Sequence, residues 1–366
     1  MRDPCEVEVV TEGGSGSDVG ATSRGLPGEP PPLFAEYAAL DQAWRDTQQV
    51  LAEAVGLLER ALTGGALTGG VVRTVAVSGS LGRMEKTANS DLDLIVVVDD
   101  QVPLQGAAAN TACEKVYEVL RPLGLTTPRT DGIFAGPSSQ ETLCDPLRRG
   151  TIAEEPEVFG KRIQWLLDCQ PIYGCDAFES LLDGVLKWYA VEVSTDADQG
   201  PAVYLINDLV RYFRAICVDC QWRDREDGAR WRLRNLKLMH TRLVACGSLL
   251  LSLGEVTRVG CQPDWLRTQL RRTPLERLVR LFQQYHQPDG LRRILASYAH
   301  FLTCYSDPTF RTDLETGVDS IEKTPAAHPL YRQLRGNAEG IQDELVCFIL
   351  RQHGIWSDAF FRYLIL

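Results

Sequence analysis

Apolar residues along the chain fall into two regimes, and the change between them sets the expected architecture. Tyr37, Trp44, Leu51, Val55, Leu58 and Leu62 recur at helical spacing and form one apolar stripe. Gly64 and Gly65 are stop signals, and the Gly-rich stretch to Gly70 reads as a turn. Val71 to Val77 is β-branched and alternates loosely. Leu92 to Val98 is a near-continuous apolar run, the pattern of a strand covered on both faces. The spacing then predicts a helix over Asn110 to Leu120. A further strand is expected within Leu125 to Phe134, at a sheet edge, because Pro128 cannot donate to a ladder.

From about Glu154 the period is helical. One segment ends near Leu167. Others cover Ala177 to Tyr189, Ala202 to Gln221, Trp231 to Leu253, Leu275 to Tyr285, Leu291 to Tyr305 and Tyr331 to Arg351. The pattern predicts an α+β fold: a small mixed β-sheet domain with its leading helix over residues 33–150, then a larger all-helical domain over 151–366. Residues 1–32 are rich in Gly, Ser, Pro and acids. Such a segment buries too little apolar area to offset its ordering entropy, so a disordered tail is expected.

Composition changes this picture little. A chain of 366 residues, 44% hydrophobic and 24% charged, has material for one large or two ordinary globular domains. No apolar run reaches the ~18 residues of a membrane span, and Met1 to Val10 lacks a signal-peptide pattern. The expected compartment is therefore the cytosol, with no membrane partner. Eleven scattered cysteines, an odd number, do not suggest a disulfide framework and are expected mostly as small buried apolar residues. A net charge of −11 argues against nucleic acid as the main partner.

The candidate chemistry sits where the two strands meet. Val77-Ser78-Gly79-Ser80-Leu81-Gly82-Arg83 ends one strand in a Gly-Ser turn, and Ser90-Asp91-Leu92-Asp93-Leu94 opens the next with aspartates at i and i+2. Strand alternation puts both carboxylates on one face, roughly 6–7 Å apart at Cβ, with Leu92 and Leu94 turned the other way. Two such charges repel unless a divalent cation sits between them. Carboxylate oxygens are the hard ligands Mg²⁺ takes, commonly shared with substrate phosphates. Glycine at Gly79 lets the backbone approach a ligand, and the turn amides with the Ser80 hydroxyl can hold phosphate oxygens. Arg83 is expected to neutralise a phosphate. A polar β-hairpin turn is the plainer alternative, but it leaves two acids stacked beside an apolar strand unexplained.

This segment resembles the DNA polymerase β nucleotidyltransferase signature, in which Gly-Gly or Gly-Ser precedes Asp-apolar-Asp/Glu-apolar by about ten residues. Gly79, Ser80, Asp91 and Asp93 occupy those positions. Gly82, Arg83, Glu85 and Ser90 match the bacterial branch that contains the protein-PII uridylyltransferase and its uncharacterised relatives. A fainter likeness covers Gly132 to Ala135 and Tyr204 to Leu243. The resemblance implies transfer of a nucleoside monophosphate from an NTP to an acceptor hydroxyl, with Mg²⁺ or Mn²⁺ at Asp91 and Asp93. It also implies a third carboxylate, for which Asp131 is the first candidate and Glu141 and Asp145 are weaker ones.

In the helical half, Arg230, Arg234 and Lys237 fall at i, i+4 and i+7 on one helix face, and Arg211 and Arg214 at i and i+3 on the preceding one. Arg234 and Lys237 are candidates to bind the triphosphate; pairing with Asp224, Glu226 and Asp227 is the alternative. Trp231 or Tyr212 could stack on a base, though core packing suits either better. Cys217 and Cys220 form a lone Cys-x-x-Cys, weak grounds for a zinc site. The acceptor is open between a protein and a small molecule. A non-catalytic nucleotide sensor or antitoxin-like partner is the other functional class. The helical half could also serve as a homodimer interface.

Overall fold

The computed structural model describes residues 25–63, 69–88, 90–127, 132–134, 136–189, 202–222, 228–258, 264–315 and 328–365. Residues 1–24 of the expected tail lie outside them, as do the stop signals Gly64 and Gly65; residues 25–32 are described and, against expectation, are held on the fold, where the Trp44 indole donates to the Gly28 carbonyl at 3.0 Å.

Helix α1 (Ala38–Leu62) follows the apolar stripe: Leu40, Trp44, Leu51, Leu58 and Leu62 are buried. Asp41 in its first turn and Arg60 in its last complement the helix dipole. Strand β1 (Val72–Val77) pairs antiparallel with β2 (Leu94–Val98). The sheet has four strands in the order β3-β2-β1-β4, with β3 (Ser138–Ser139) parallel to β2 and β4 (Gln170–Tyr173) antiparallel to β1. Every residue of β2 is buried, which accounts for its unbroken apolar run.

The structure departs from the sequence reading at three points in the sheet. Regular pairing of β2 begins at Leu94, and Asp91 makes only an isolated bridge to Thr126. That bridge is all the strand character found among the described residues of 125–134; the edge strand falls instead at Ser138–Ser139, two polar residues with no apolar signal to read. The fourth strand, β4, lies beyond residue 150 inside the segment read as helical, so the α/β part extends to Tyr173. Pro171 within β4 is compatible with an edge, where a missing N–H interrupts no central ladder.

Short helices α2 (Gly79–Gly82) and α4 (Gln140–Leu143) flank the strands, and α3 (Ala107–Leu120) packs on β2. Helices α5 (Pro156–Leu167) and α6 (Cys175–Trp188) bracket β4. The remainder is helical: α7 (Val203–Trp222), α8 (Gly228–Lys237), α9 (Leu243–Val256), α10 (Trp265–Leu270), α11 (Pro274–Gln284), α12 (Pro288–Ser306), α13 (Phe310–Glu315), α14 (Pro329–Arg351) and α15 (Asp358–Ile365). Helices α8 and α9 join through a π-helical turn, Leu238–Arg242. The joined stretch Arg230–Val256 is long and apolar enough to cross a membrane, but 67% of its most apolar window is buried inside the fold, so that apolarity serves the core.

One buried apolar cluster runs from Phe34 to Phe360 and takes in residues of the sheet and of the helical half. Helix α12 is the junction, packing on both α1 and α14.

Candidate active site

The ends of β1 and β2 are tied where the motif lies. The Ser78 amide donates to the Asp93 carbonyl at 2.9 Å, and the Leu92 amide to the Thr126 carbonyl at 2.8 Å. Leu92 and Leu94 are buried at 2% and 1% exposure, which turns Asp91 and Asp93 the other way. Both aspartates line one cleft together with Gly79 and Ser80. Gly79 has φ +67°, and a Cβ there would lie 2.6 Å from Asp93 Oδ2. Glycine is thus required twice: by the left-handed backbone and by the closeness of the carboxylate. The Ser80 hydroxyl donates to Ser90 Oγ at 2.9 Å, and Ser90 Oγ accepts from the Thr87 amide, so the loop is closed on itself.

The opposite wall comes from the helical half. Lys237, Thr241 and Arg242 reach the cleft from the π-turn and the residue before it, and Phe301, Leu302 and Tyr305 from α12. The cleft has a cavity volume of about 150 Å³ and opens to solvent. A π-turn carries an extra residue per turn and re-aims the side chains that follow; such turns occur frequently at functional sites. His240 fixes this one: Nδ1 lies 2.8 Å from the Leu236 carbonyl oxygen, and Nε2 lies 3.3 Å from the Asn337 amide.

Beneath the cleft lies a buried ionic group. Arg83 Nε donates to Glu85 at 2.8 Å and Nη1 to Asp168 at 2.8 Å; Tyr298 on α12 donates to Glu85 at 2.7 Å, and Ser78 to Asp168 at 2.7 Å. Arg83 is 6% exposed and committed to two carboxylates, so it holds the turn in place rather than offering the phosphate contact expected of it. Gly82 does not line the cleft: a Cβ there would stand 1.9 Å from the Asp168 carbonyl oxygen, so its smallness permits close packing. The Gln164 amide orientation that satisfies every partner points its nitrogen at Asp168 (2.9 Å) and its oxygen at Tyr212 and at Arg242 (2.6 Å).

Electrostatics single out Asp93. Burial first, and the Asp91 charge next, push its carboxyl up to about 7, while Arg242 pulls it down. Burial works against the charge on Arg242 as well, but nearby Tyr212, Asp168 and Asp93 favour it and raise its pKa. With Asp93 ionised, the lining side chains carry three cations (Arg83, Lys237, Arg242) and three carboxylates (Glu85, Asp91, Asp93), so the cleft by itself then has no excess positive charge to hold a polyanion.

Other expected residues fall elsewhere. Asp131 lies outside the described residues, as do Asp224, Glu226 and Asp227. Glu141 and Asp145 line a separate cavity. Of the basic helix face, Lys237 reaches the cleft; Arg234 instead lies 3.6 Å from Asp219, and Arg230 is exposed. Arg211 pairs with Asp208 at 3.3 Å and sits over Phe159. Trp231 packs on Tyr331, and Tyr212 is buried, so neither lines the cleft. Four of the nine described cysteines are buried and Cys347 is exposed. Among the described residues no group of three or more His, Cys, Asp or Glu side chains could hold a metal ion. The sequence reading missed Thr241, Arg242 and Tyr305; a Lys-x-x-x-Thr-Arg run in an apolar helix carries no signal that a π-turn will aim it.

Residues 39–143 match the model of a family described as "Putative nucleotidyltransferase DUF294". The matched stretch runs from α1 to α4 and contains the Gly-Ser turn and both aspartates. No curated protein matches the chain. The match supports a place in the nucleotidyltransferase superfamily.

Proposed function

We propose that the protein transfers a nucleoside monophosphate from an NTP to an acceptor hydroxyl, with Asp91 and Asp93 holding Mg²⁺. The observation that carries the reading is the convergence of both aspartates, the Gly79-Ser80 turn, Lys237 and Arg242 on one cleft. The donor set fits a hard divalent cation. Two carboxylates share the cleft, and the protonation pressure on Asp93 is the signature of repulsion and burial that a cation would relieve. Two protein oxygens suffice for Mg²⁺ when substrate phosphates and water complete its shell.

When bound, the ion would supply Lewis acidity at the α-phosphorus and favour ionisation of the acceptor hydroxyl. The chain's own groups do the rest. Lys237 and Arg242 hold the β- and γ-phosphates and neutralise the departing pyrophosphate. The turn amides at Gly79 and Ser80 position the triphosphate. The buried Arg83, Glu85 and Asp168 keep that turn aligned with Asp93. A bond forms between the acceptor oxygen and the α-phosphorus, the bond to pyrophosphate breaks, and the hydroxyl proton passes to water. Following the resemblance to protein uridylyltransferases, the acceptor is a protein hydroxyl first and a small-molecule hydroxyl second.

The test incubates purified protein with each α-labelled NTP, Mg²⁺ or Mn²⁺, and a cell extract, and follows the label into protein, RNA or small molecules. Label transfer by the wild type and its loss in a folded Asp91→Ala variant are expected. Full turnover by that variant would contradict the assignment.

A further inference from the structure

Three rings form a stack that begins in the core and ends at the cleft. His240 lies on Phe301 with centroids 4.1 Å apart and planes at 11°, and Phe301 lies on Tyr305 at 5.6 Å and 19°. His240 and Phe301 are fully buried, whereas Tyr305 keeps 7% exposure and lines the cleft beside Leu302. Burial pushes His240 down to about 4, so its ring is uncharged near neutral pH. Phe310 meets Tyr305 edge-on at 6.0 Å.

What meets the Tyr305 ring from the cleft is a cation. The Lys237 ammonium stands 5.1 Å from the ring centroid. A cation over a ring at a partly solvated site is a weak contact. A charge-assisted bond to phosphate is stronger, and so is a nucleobase stacked on an aromatic side chain. An arriving nucleotide offers both replacements at once, and the two sites for them, the ring and the carboxylate end, belong to one cleft.

We propose that Tyr305 is the platform on which the nucleobase stacks, continuing the ring series, and that Lys237 leaves the ring for the phosphates as the nucleotide enters. This rests on the nucleotide reading given above. Phe301, Leu302 and Tyr305 offer contact area rather than a pattern of donors and acceptors, so the slot favours the larger π-face of purines over pyrimidines and accepts any base to some degree.

The test is calorimetry on the full chain in excess Mg²⁺ with three probes: the α,β-methylene analogues of ATP and UTP, and inorganic tripolyphosphate. In the wild type the ATP analogue should bind about ten- to a hundredfold more tightly than tripolyphosphate, the range of one base–aromatic stack, with the UTP analogue between them. Tyr305→Leu should remove most of that advantage and leave tripolyphosphate binding as tight as in the wild type or slightly tighter, because Lys237 no longer has the ring to leave, which also shows that the variant is folded; Tyr305→Phe should retain the advantage. An advantage equally large in wild type and Tyr305→Leu overturns the stacking proposal and leaves the nucleotide reading standing. If neither analogue nor tripolyphosphate binds the wild type, the nucleotide reading falls and the stacking proposal falls with it.

Discussion

Gly79 and Asp93 bear the tightest geometric demand in the cleft. Alanine at 79 would meet a φ of +67° and put its Cβ 2.6 Å from Asp93 Oδ2. The backbone strain alone costs about 1–2 kcal/mol, and the carboxylate must move. Gly79→Ala should therefore remain folded, with a modestly lower melting temperature, and lose the stabilisation that Mg²⁺ confers; a variant that responds to Mg²⁺ like the wild type would contradict this. Asp93 also sets a pH dependence. Its carboxyl is raised to about 7, by burial first and by Asp91 second, whereas an unfolded aspartate titrates near ~4. Between those values the folded state binds more protons than the unfolded one, so the stability of metal-free protein falls as pH rises through that window. A metal needs the ionised carboxylate. Mg²⁺ should thus raise the melting temperature more above pH 7 than well below it, and an equal rise on both sides would rule out Asp93 as a ligand. Both residues were legible in the sequence, because the Gly-Ser turn and the Asp-x-Asp are local patterns whose partners lie within fifteen positions.

Elements bring together what local pattern does not. The turn after β1 was recognisable from Gly82, Arg83 and Glu85, but the role of Arg83 was not, because its second carboxylate, Asp168, lies 85 residues on. Tyr298, which binds Glu85, lies 213 residues on. Removing Arg83 would strand two buried acids, an arrangement that typically costs about 3–5 kcal/mol. Arg83→Met should lower unfolding free energy by that order in denaturant titration, whereas Tyr298→Phe, which removes one hydroxyl, should cost only about 1–2 kcal/mol. A near-neutral Arg83→Met would show that the ionic group does not hold the turn. The same distance effect hid β4. Its four residues include Gln170 and Pro171 and read as a break between helices, and only pairing with β1 makes them a strand. Arg242 was hidden by backbone geometry instead: an ideal helical wheel cannot place a residue that follows a π-turn.

For the molecule as a whole, the cleft exists because sheet and helices share one core. The α+β division was legible from the switch in hydrophobic period, since period reports which face each element buries. The joint use of both halves was not, since contacts between Asp93 on one wall and the α8–α9 turn on the other are set by packing. The charge balance follows from that meeting: an acidic chain of net charge −11 supplies three cations to the cleft and, once Asp93 is ionised, cancels them with three carboxylates. A triphosphate then finds no net attraction unless divalent cations are present. The most direct measurement is binding of the α,β-methylene ATP analogue in Mn²⁺ and in EDTA, for the wild type and for the double variant Asp91→Asn/Asp93→Asn. Tight binding by the wild type only with the metal, and its loss in the double variant, is the predicted result. Equal affinity in EDTA, or undiminished metal-dependent binding by the double variant, would contradict the claim that these two aspartates carry the ion and its nucleotide.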